Sequence, residues 1–197
     1  GLLVIEKSKS TFFVSKEILK ITSQNNKIIV ATVQGISELR NDYIQPLNIN
    51  TQIDFSIIND IKISEDKIYV ASNKGFWILN GFEKPIYIKQ LSKENCTSIL
   101  IDDKDILIGT ISNGIKIINN DKIKKTINTL LSITTIKKIN DEIWISSKND
   151  GIEILEAKTY AFKRKINKYN SDISGQINTV FKDSQNSIWL ASVDKGL

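Results

Sequence analysis

A short module repeats along this chain and constrains its fold more than any other feature. In its clearest copy, at residues 142–155, an apolar strand runs into a turn closed by Gly151, and a second apolar strand follows. Further copies close at Gly35, Gly75, Gly114 and Gly196. The chain also opens, at Gly1, on the second half of the same unit. Because the turn glycines recur about every 39 residues, the sequence predicts a repeat protein.

The length of the apolar runs decides which kind of repeat this is. A period of about 40 residues is typical of propellers and of helical arrays such as HEAT repeats. The runs here are short, rich in Ile and Val, and end at Gly, Asn, Asp or Ser, which indicates strands rather than helices. In the third full unit the strands, designated a, b, c and d, are expected at residues 98–101, 106–110, 115–118 and 123–127.

Four antiparallel strands in each repeat make the blade of a β-propeller. We therefore predict an all-β fold, a β-propeller of four-stranded antiparallel blades with about five repeats, as a single domain over residues 1–197. The chain begins with strands c and d of one blade, continues through four full blades, and ends with strands a and b of a last blade. Two arrangements remain open: a closed five-bladed ring, or part of a larger ring such as a seven-bladed one. We expect the chain to be a piece of a longer protein.

The b strands carry two further regularities. They are apolar on both faces, as Ile143, Trp144 and Ile145 illustrate, which is typical of a strand packed between two neighbouring blades. Each b strand also ends in a small residue followed by a hydroxyl. These pairs are Ala31-Thr32, Ala71-Ser72, Gly109-Thr110, Ser146-Ser147 and Ala191-Ser192. We expect the hydroxyls to satisfy backbone groups of the b–c turns rather than to form a catalytic ring.

Composition excludes several chemistries. The chain has no histidine, so neither a Ser-His-Asp triad nor histidine metal ligation can form within it. Its one cysteine, Cys96, is expected to be a buried thiol and can form no internal disulfide. The formal charge of +5 comes from scattered lysines, many on the predicted d strands, where charge discourages edge-to-edge pairing. We expect no cofactor, no metal, no nucleic-acid partner and no direct insertion into a membrane.

The last copy of the module carries a family resemblance. Residues 177–197 contain an apolar pair, the Asp183 turn, Trp189, a small residue with the hydroxyl of Ser192, and Gly196-Leu197. This pattern resembles the two-component regulator propeller repeat, and the resemblance covers the whole chain, although Trp occupies the expected place only at Trp144 and Trp189.

The resemblance implies a non-catalytic sensor. Such repeats form the periplasmic region of bacterial hybrid two-component histidine kinases, proteins of the inner membrane that pass a signal through a phosphorelay. It implies an oligosaccharide or another small ligand, contacts with adjacent domains of the same chain, and a homodimer in the full-length protein. Any kinase would lie outside these residues.

Polar side chains of the b–c loops are the candidate ligand-binding residues, because a ring of blades displays these loops on one face. Their amides, carboxylates and ammonium groups suit sugar hydroxyls. They are Gln34, Asn73, Lys74, Asn113, Lys148, Asn149, Asp150, Asp194 and Lys195. We predict no catalytic residues.

Three alternatives remain beside the sensor. The first is a scaffold propeller that binds another protein. The second is a propeller lyase or hydrolase that uses the carboxylate pairs Asp102-Asp103 or Glu65-Asp66, although both pairs occupy predicted a–b turns. The third is a calcium site at Asp102, Asp103 and Asp105, which supplies oxygen ligands but lacks the spacing of a known calcium loop.

Overall fold

The structure is a computed structural model that describes residues 2–6, 9–13, 17–40, 43–48, 53, 55–80, 86–193 and 196. Two compact units divide the chain, Gly1–Lys93 and Glu94–Leu197. Strands form both of them, and a short 3-10 turn lies at Lys89–Leu91.

The first unit contains one hairpin and two four-stranded sheets. The hairpin pairs β1 (Leu2–Glu6) with β2 (Lys9–Phe13). Blade 1 consists of β3 (Ile18–Gln24), β4 (Lys27–Thr32), β5 (Gly35–Arg40) and β6 (Tyr43–Pro46). Blade 2 consists of β7 (Ile58–Ser64), β8 (Lys67–Ser72), β9 (Gly75–Asn80) and β10 (Ile86–Tyr87).

The second unit contains two four-stranded sheets and a final hairpin. Blade 3 consists of β11 (Cys96–Asp102), β12 (Asp105–Thr110), β13 (Ile115–Asn119) and β14 (Lys122–Ile127). Blade 4 consists of β15 (Ile133–Ile139), β16 (Glu142–Ser147), β17 (Ile152–Glu156) and β18 (Phe162–Ile166). The terminal hairpin pairs β19 (Ile177–Lys182) with β20 (Ile188–Ser192).

Sequential strands pair antiparallel in each sheet, which confirms the predicted all-β fold of four-stranded propeller blades. Polar turns join the strands as predicted. Asn25 and Asn26, with φ of 49° and 62°, and Glu65 and Asp66, with the same two values, form two-residue a–b turns. Two consecutive residues with positive φ make the turn whose twist matches that of the flanking strands.

Every a strand carries an irregularity that the sequence did not predict. The register shifts next to the first residue of β3, β7, β11, β15 and β19 alike, and the shift in β15 lies between Ile133 and Thr135. A bulge at the same place in each repeat increases local twist and bends the strand. Its recurrence indicates one blade geometry throughout.

Burial follows the predicted gradient across the blade. Strands β4, β8, β12 and β16 are buried over most of their length, whereas β14 and β18 are largely exposed and carry the lysines. Within the second unit, Leu107 and Ile115 of blade 3 pack in one cluster with Ile136 and Ile145 of blade 4. The apolar faces of successive blades therefore form the core.

The hydroxyls that end the b strands have the structural role that the sequence predicted. At Ser147, for example, Oγ donates to the carbonyl of Gly151 (3.3 Å) and accepts the N–H of Asp150 (2.9 Å). The equivalent hydroxyls donate to the turn glycines in the same way at Thr32, Ser72, Thr110 and Ser192. These hydroxyls are thus part of the turn structure.

Two single residues also have the predicted environment. Cys96 is a fully buried thiol, and burial raises its pKa to about 12, so it stays protonated and inert. Trp144 is 7% exposed and packs with Ile152 and Ile154 of its own blade and Val180 of the terminal hairpin. The tryptophan is therefore a contact between successive blades.

Candidate functional site

A cleft of 790 Å³ lies in the second unit, at the end of blades 3 and 4 that carries the a–b and c–d turns. Most of the residues that line it have charged or polar side chains. Besides Asn119, Ala157 and Tyr160, it contains four aspartates and four lysines, which are Asp102, Asp103, Asp105, Asp141, Lys104, Lys124, Lys138 and Lys158. This cleft is a concave site formed by described residues.

Asp105 is the centre of the hydrogen-bond network in the cleft. Its Oδ1 accepts from Asn119 Nδ2 (2.6 Å), and its Oδ2 accepts from Lys124 Nζ (3.1 Å) and from the Tyr160 hydroxyl (3.1 Å). Burial alone would raise the pKa of Asp105, but the hydrogen bonds from Asn119, Lys124 and Tyr160 outweigh burial and lower the pKa. Asp105 therefore remains a carboxylate whose lone pairs are satisfied by the protein.

Tyr160 reaches Asp105 from the neighbouring blade with a strained backbone. Its φ is 58°, a left-handed conformation that is unusual for a bulky residue. Its N–H donates to the carbonyl of Glu156 (2.9 Å), which closes the c–d turn of blade 4. Burial, and then the charge of Asp105, raises the pKa of Tyr160, so the phenol stays protonated and donates. Tyr160 thus closes the turn with its backbone and contributes its hydroxyl to the cleft.

A second link crosses the cleft. Lys138 Nζ of blade 4 lies 2.5 Å from Asp102 Oδ1 of blade 3, and the Asp102 side chain is only 11% exposed. This hydrogen bond raises the pKa of Lys138, and the nearby carboxylates of Asp103 and Asp141 raise it further. Two neutralised pairs therefore line the cleft, Asp102 with Lys138 and Asp105 with Lys124, and we call them its floor because the two carboxylates are its least exposed charges.

The calcium and enzyme alternatives gain no support from this geometry. The carboxylates of Asp102 and Asp105 are each held by a lysine, which would compete with a metal ion. Among the residues that the structure describes, no group of three or more acidic or cysteine side chains is arranged to hold a metal. Glu65 and Asp66 are exposed turn residues, as the sequence predicts.

A second polar cluster surrounds Glu142, at the start of β16. Arg164 binds both carboxylate oxygens (2.6 and 2.9 Å), and Lys163 Nζ binds Oε1 (2.8 Å). These hydrogen bonds, from Arg164 and then from Lys163, lower the pKa of Glu142 to about 2. The guanidinium also lies 5.7 Å from the ring centre of Trp144, whose indole N–H donates to Glu142 (3.2 Å). This cluster joins the outer strand to the b strand and stabilises the blade.

The predicted ligand-binding residues lie at the other end of the strands, and none of those described lines the cleft. Some of them hold the loops together: Asn73 Oδ1 accepts from the N–H of Ile57 (3.1 Å), Asn113 Nδ2 donates to Glu94 (2.7 Å), and Asp150 pairs with Lys165.

The remaining b–c loop candidates have exposed side chains. They are Gln34, Lys74, Lys148 and Asn149. Asp194 and Lys195 lie outside the described residues, so their prediction stands as made from the sequence. The b–c loops remain a predicted site.

The sequence contained a signal for the cleft, but we interpreted it as turn chemistry. Charged residues occupy the a–b turns of blades 3 and 4, at 102–105 and at Asp141. The c–d turn of blade 4 ends in Tyr160. Only the lateral packing of blades 3 and 4 brings these turns together. In these turns, the one unusual feature of the sequence was Tyr160, a bulky residue at a turn position where Asn or Gly is common.

The antiparallel blades and their glycine-closed turns define the class: a chain of β-propeller blades. No protein-family model matches the sequence, and no curated protein is detectably similar to it.

Among solved structures, the extracellular domain assigned to the hybrid two-component system BT3049 of B. thetaiotaomicron is similar with a TM-score of 0.73 and 23% identity. That of BT4673 from the same organism has a TM-score of 0.73 and 18% identity. Each match covers 91% of this chain and 26% of the other. The WD40 propeller domain of Doa1 has a TM-score of 0.71 at 15% identity, over 95% of this chain and 64% of that one.

These similarities show the propeller fold, and the first two agree with the family resemblance in the sequence. This chain spans about a quarter of the length of the two-component domains that it matches.

Proposed function

We propose that this chain is part of the sensor region of a bacterial hybrid two-component protein and has no catalytic activity of its own. The similarity to two extracellular domains of such systems carries the proposal, together with the Asp-turn-Trp motif of the terminal hairpin. In that motif the indole N–H of Trp189 donates to Asp183 Oδ2 (2.7 Å). The same carboxylate accepts the N–H groups of Gln185 and Ser187, so the motif residues support one turn.

The proposed location is extracytoplasmic, in the periplasmic part of an inner-membrane protein. The assignment of the two structural neighbours to extracellular domains supports it. Among the described residues, no helix is long and apolar enough to cross a membrane.

The proposed ligand of the sensor is an oligosaccharide bound by the b–c loops. Exposed amide and ammonium groups support this choice, since Lys148 and Asn149 project from a turn whose backbone is fixed by Ser147 and Gly151. A rigid turn presents polar groups with little loss of conformational entropy on binding.

A thermal-shift experiment on the full-length protein tests the proposal. Glycan fragments that bind the folded state should raise its thermal midpoint. At a ligand concentration of 100 times Kd, binding should add about 2.7 kcal/mol to the free energy of unfolding. We expect Asn149→Ala to weaken this shift. The matched control, Asn128→Ala, changes an exposed asparagine after β14 and should leave the shift unchanged.

The outcomes separate the sensor from the scaffold. A glycan-dependent shift accompanied by altered kinase autophosphorylation supports sensing. If no glycan changes the midpoint and the rest of the protein contains neither a membrane helix nor a kinase, the scaffold alternative replaces the sensor proposal.

A further inference from the structure

We propose that the cleft between blades 3 and 4 binds a small zwitterion, of the free amino acid or short peptide class. This site is separate from the b–c loops, so the inference does not depend on the sensor function. It rests on the cleft volume of 790 Å³, on the pairing of its floor, and on the charges of its rim.

The floor supplies shape and rigidity rather than charge. Lys138 neutralises Asp102, and Lys124 neutralises Asp105, while Asn119 and Tyr160 complete the second pair. Both pairs connect different strands, and the Tyr160 and Lys138 contacts connect different blades. A ligand therefore meets a preformed surface, which lowers the entropic cost of binding.

The rim supplies two charges of each sign. Asp103 and Asp141 are exposed carboxylates, and Lys104 and Lys158 are exposed ammonium groups. None of the four side chains forms a salt bridge with another described residue. They are the groups of the cleft that can bind a ligand without breaking an existing pair.

Desolvation decides which ligand suits this rim. A ligand that covers these groups removes charges from water, and the cost is recovered only if each charge meets an opposite one. A neutral sugar offers no charge to pair with these groups. A dianion would pair with the lysines but be repelled by the aspartates, and a diamine would do the reverse. A zwitterion places a carboxylate near Lys104 and Lys158 and an ammonium near Asp103 and Asp141.

The backbone of Tyr160 supports a functional cleft. Strain of this kind costs about 1–3 kcal/mol and tends to persist where the surrounding structure imposes it for a purpose. Here the strained residue supplies the hydroxyl that holds Asp105. Asn or Gly would close the same turn at lower cost but would remove one of the two donors to Asp105 Oδ2.

Isothermal titration calorimetry of the full-length protein with alanyl-alanine tests the proposal. The probe is a zwitterion at pH 7, and its N-acetylated, C-amidated form is the matched neutral ligand. We expect the zwitterion to bind at least tenfold more tightly than the neutral form, and more weakly as salt is added. Maltose serves as a neutral polyol and should bind no better than the neutral peptide.

Two single substitutions, Lys158→Gln and Asp141→Asn, should each weaken binding of the zwitterion by about tenfold. The matched controls are Lys122→Gln and Asp121→Asn, which change exposed residues at the c–d turn of blade 3 outside the cleft. All four variants change exposed side chains, so their thermal midpoints should match that of the parent. Equal binding of the neutral peptide, unchanged binding in the two cleft variants, or no binding of the zwitterion at millimolar concentration would overturn the proposal.

Discussion

Trp144 and Trp189 occupy equivalent positions in consecutive repeats but have different environments. Trp144 is 7% exposed and lies in a cluster with Val180 and Ile177 of the terminal hairpin. Trp189 is 48% exposed, and Phe181, which faces it across the hairpin, is 62% exposed. The same repeat position is therefore buried where a neighbouring hairpin packs on it and half exposed where no described residue covers it.

Both tryptophans keep a carboxylate partner for the indole N–H, although the partner differs. Trp144 donates to Glu142, two residues earlier, and Trp189 donates to Asp183, six residues earlier. Each indole hydrogen bond is thus made within its own hairpin, whereas burial depends on the neighbouring blade. Substitutions at equivalent positions of blade 4 and of the terminal hairpin can separate the contribution of local hydrogen bonds to stability from that of burial.

The tryptophans themselves should give the largest contrast. Trp144→Ala removes a buried indole and should cost about 3–5 kcal/mol of unfolding free energy. Trp189→Ala removes a half-exposed side chain and should cost about 1 kcal/mol or less. Urea unfolding monitored by far-UV circular dichroism measures both. Equal losses would mean that another surface covers Trp189 in solution.

The turn glycines should give the next contrast. A Cβ at Gly151 would lie 2.3 Å from the carbonyl oxygen of Ile166, and φ is 74°, whereas a Cβ at Gly196, with φ of 73°, meets nothing within 4 Å. Gly151→Ala should therefore destabilise by more than about 2 kcal/mol, because a clash adds to strain, and Gly196→Ala by about 1 kcal/mol from strain alone. Thermal unfolding of the two variants measures both losses, and because the two glycines have nearly the same φ, the difference between the losses reports the clash. A smaller loss at Gly151 than at Gly196 would contradict the packing of β17 against β18.

Removal of the turn hydroxyls should have a smaller effect. Ser147 is fully buried and bonds Gly151 and Asp150, so Ser147→Ala should cost about 1–2 kcal/mol because the half-buried N–H of Asp150 loses its acceptor. Ser192→Ala should cost about 0.5 kcal/mol, since water can replace the exposed hydroxyl. Hydrogen exchange of the turn amides checks both. Unaltered exchange at Asp150 in Ser147→Ala would contradict the assigned role.

The smallest predicted effect concerns acid stability. The pKa of Glu142 is lowered from 4.5 to about 2, so the ionised carboxylate contributes stability above pH 4.5 and loses this contribution as the pH falls towards 2. Glu142→Gln should cost about 1 kcal/mol at pH 7, because two of its three partners are exposed cations, and nothing near pH 2. Thermal midpoints at both values measure the difference. Lys20→Gln, at an exposed lysine of blade 1, is the control and should show no such pH dependence.

The sequence predicted the blades well because local signals coincide. In blade 4, for instance, the apolar run after Glu142, the hydroxyl of Ser147 and the turn glycine Gly151 lie close together in sequence and need no distant contact. The bulge between Ile133 and Thr135 has no such signal, since it follows from how β15 twists against β16. The b–c loop candidates were identified from their predicted place on one face and from their polar side chains, and the cleft was missed because its two walls come from different repeats.

By itself, the sequence determined the repeat, the strand order within each blade, the turn glycines, and the exclusion of histidine chemistry. These depend on periodicity and on backbone preferences that operate over a few residues. Only the tertiary structure decided that Asp105 meets Tyr160, that Asp102 meets Lys138, and that Trp144 is buried while Trp189 is not. Those contacts join residues of different repeats, and their distances are set by how one blade packs against the next.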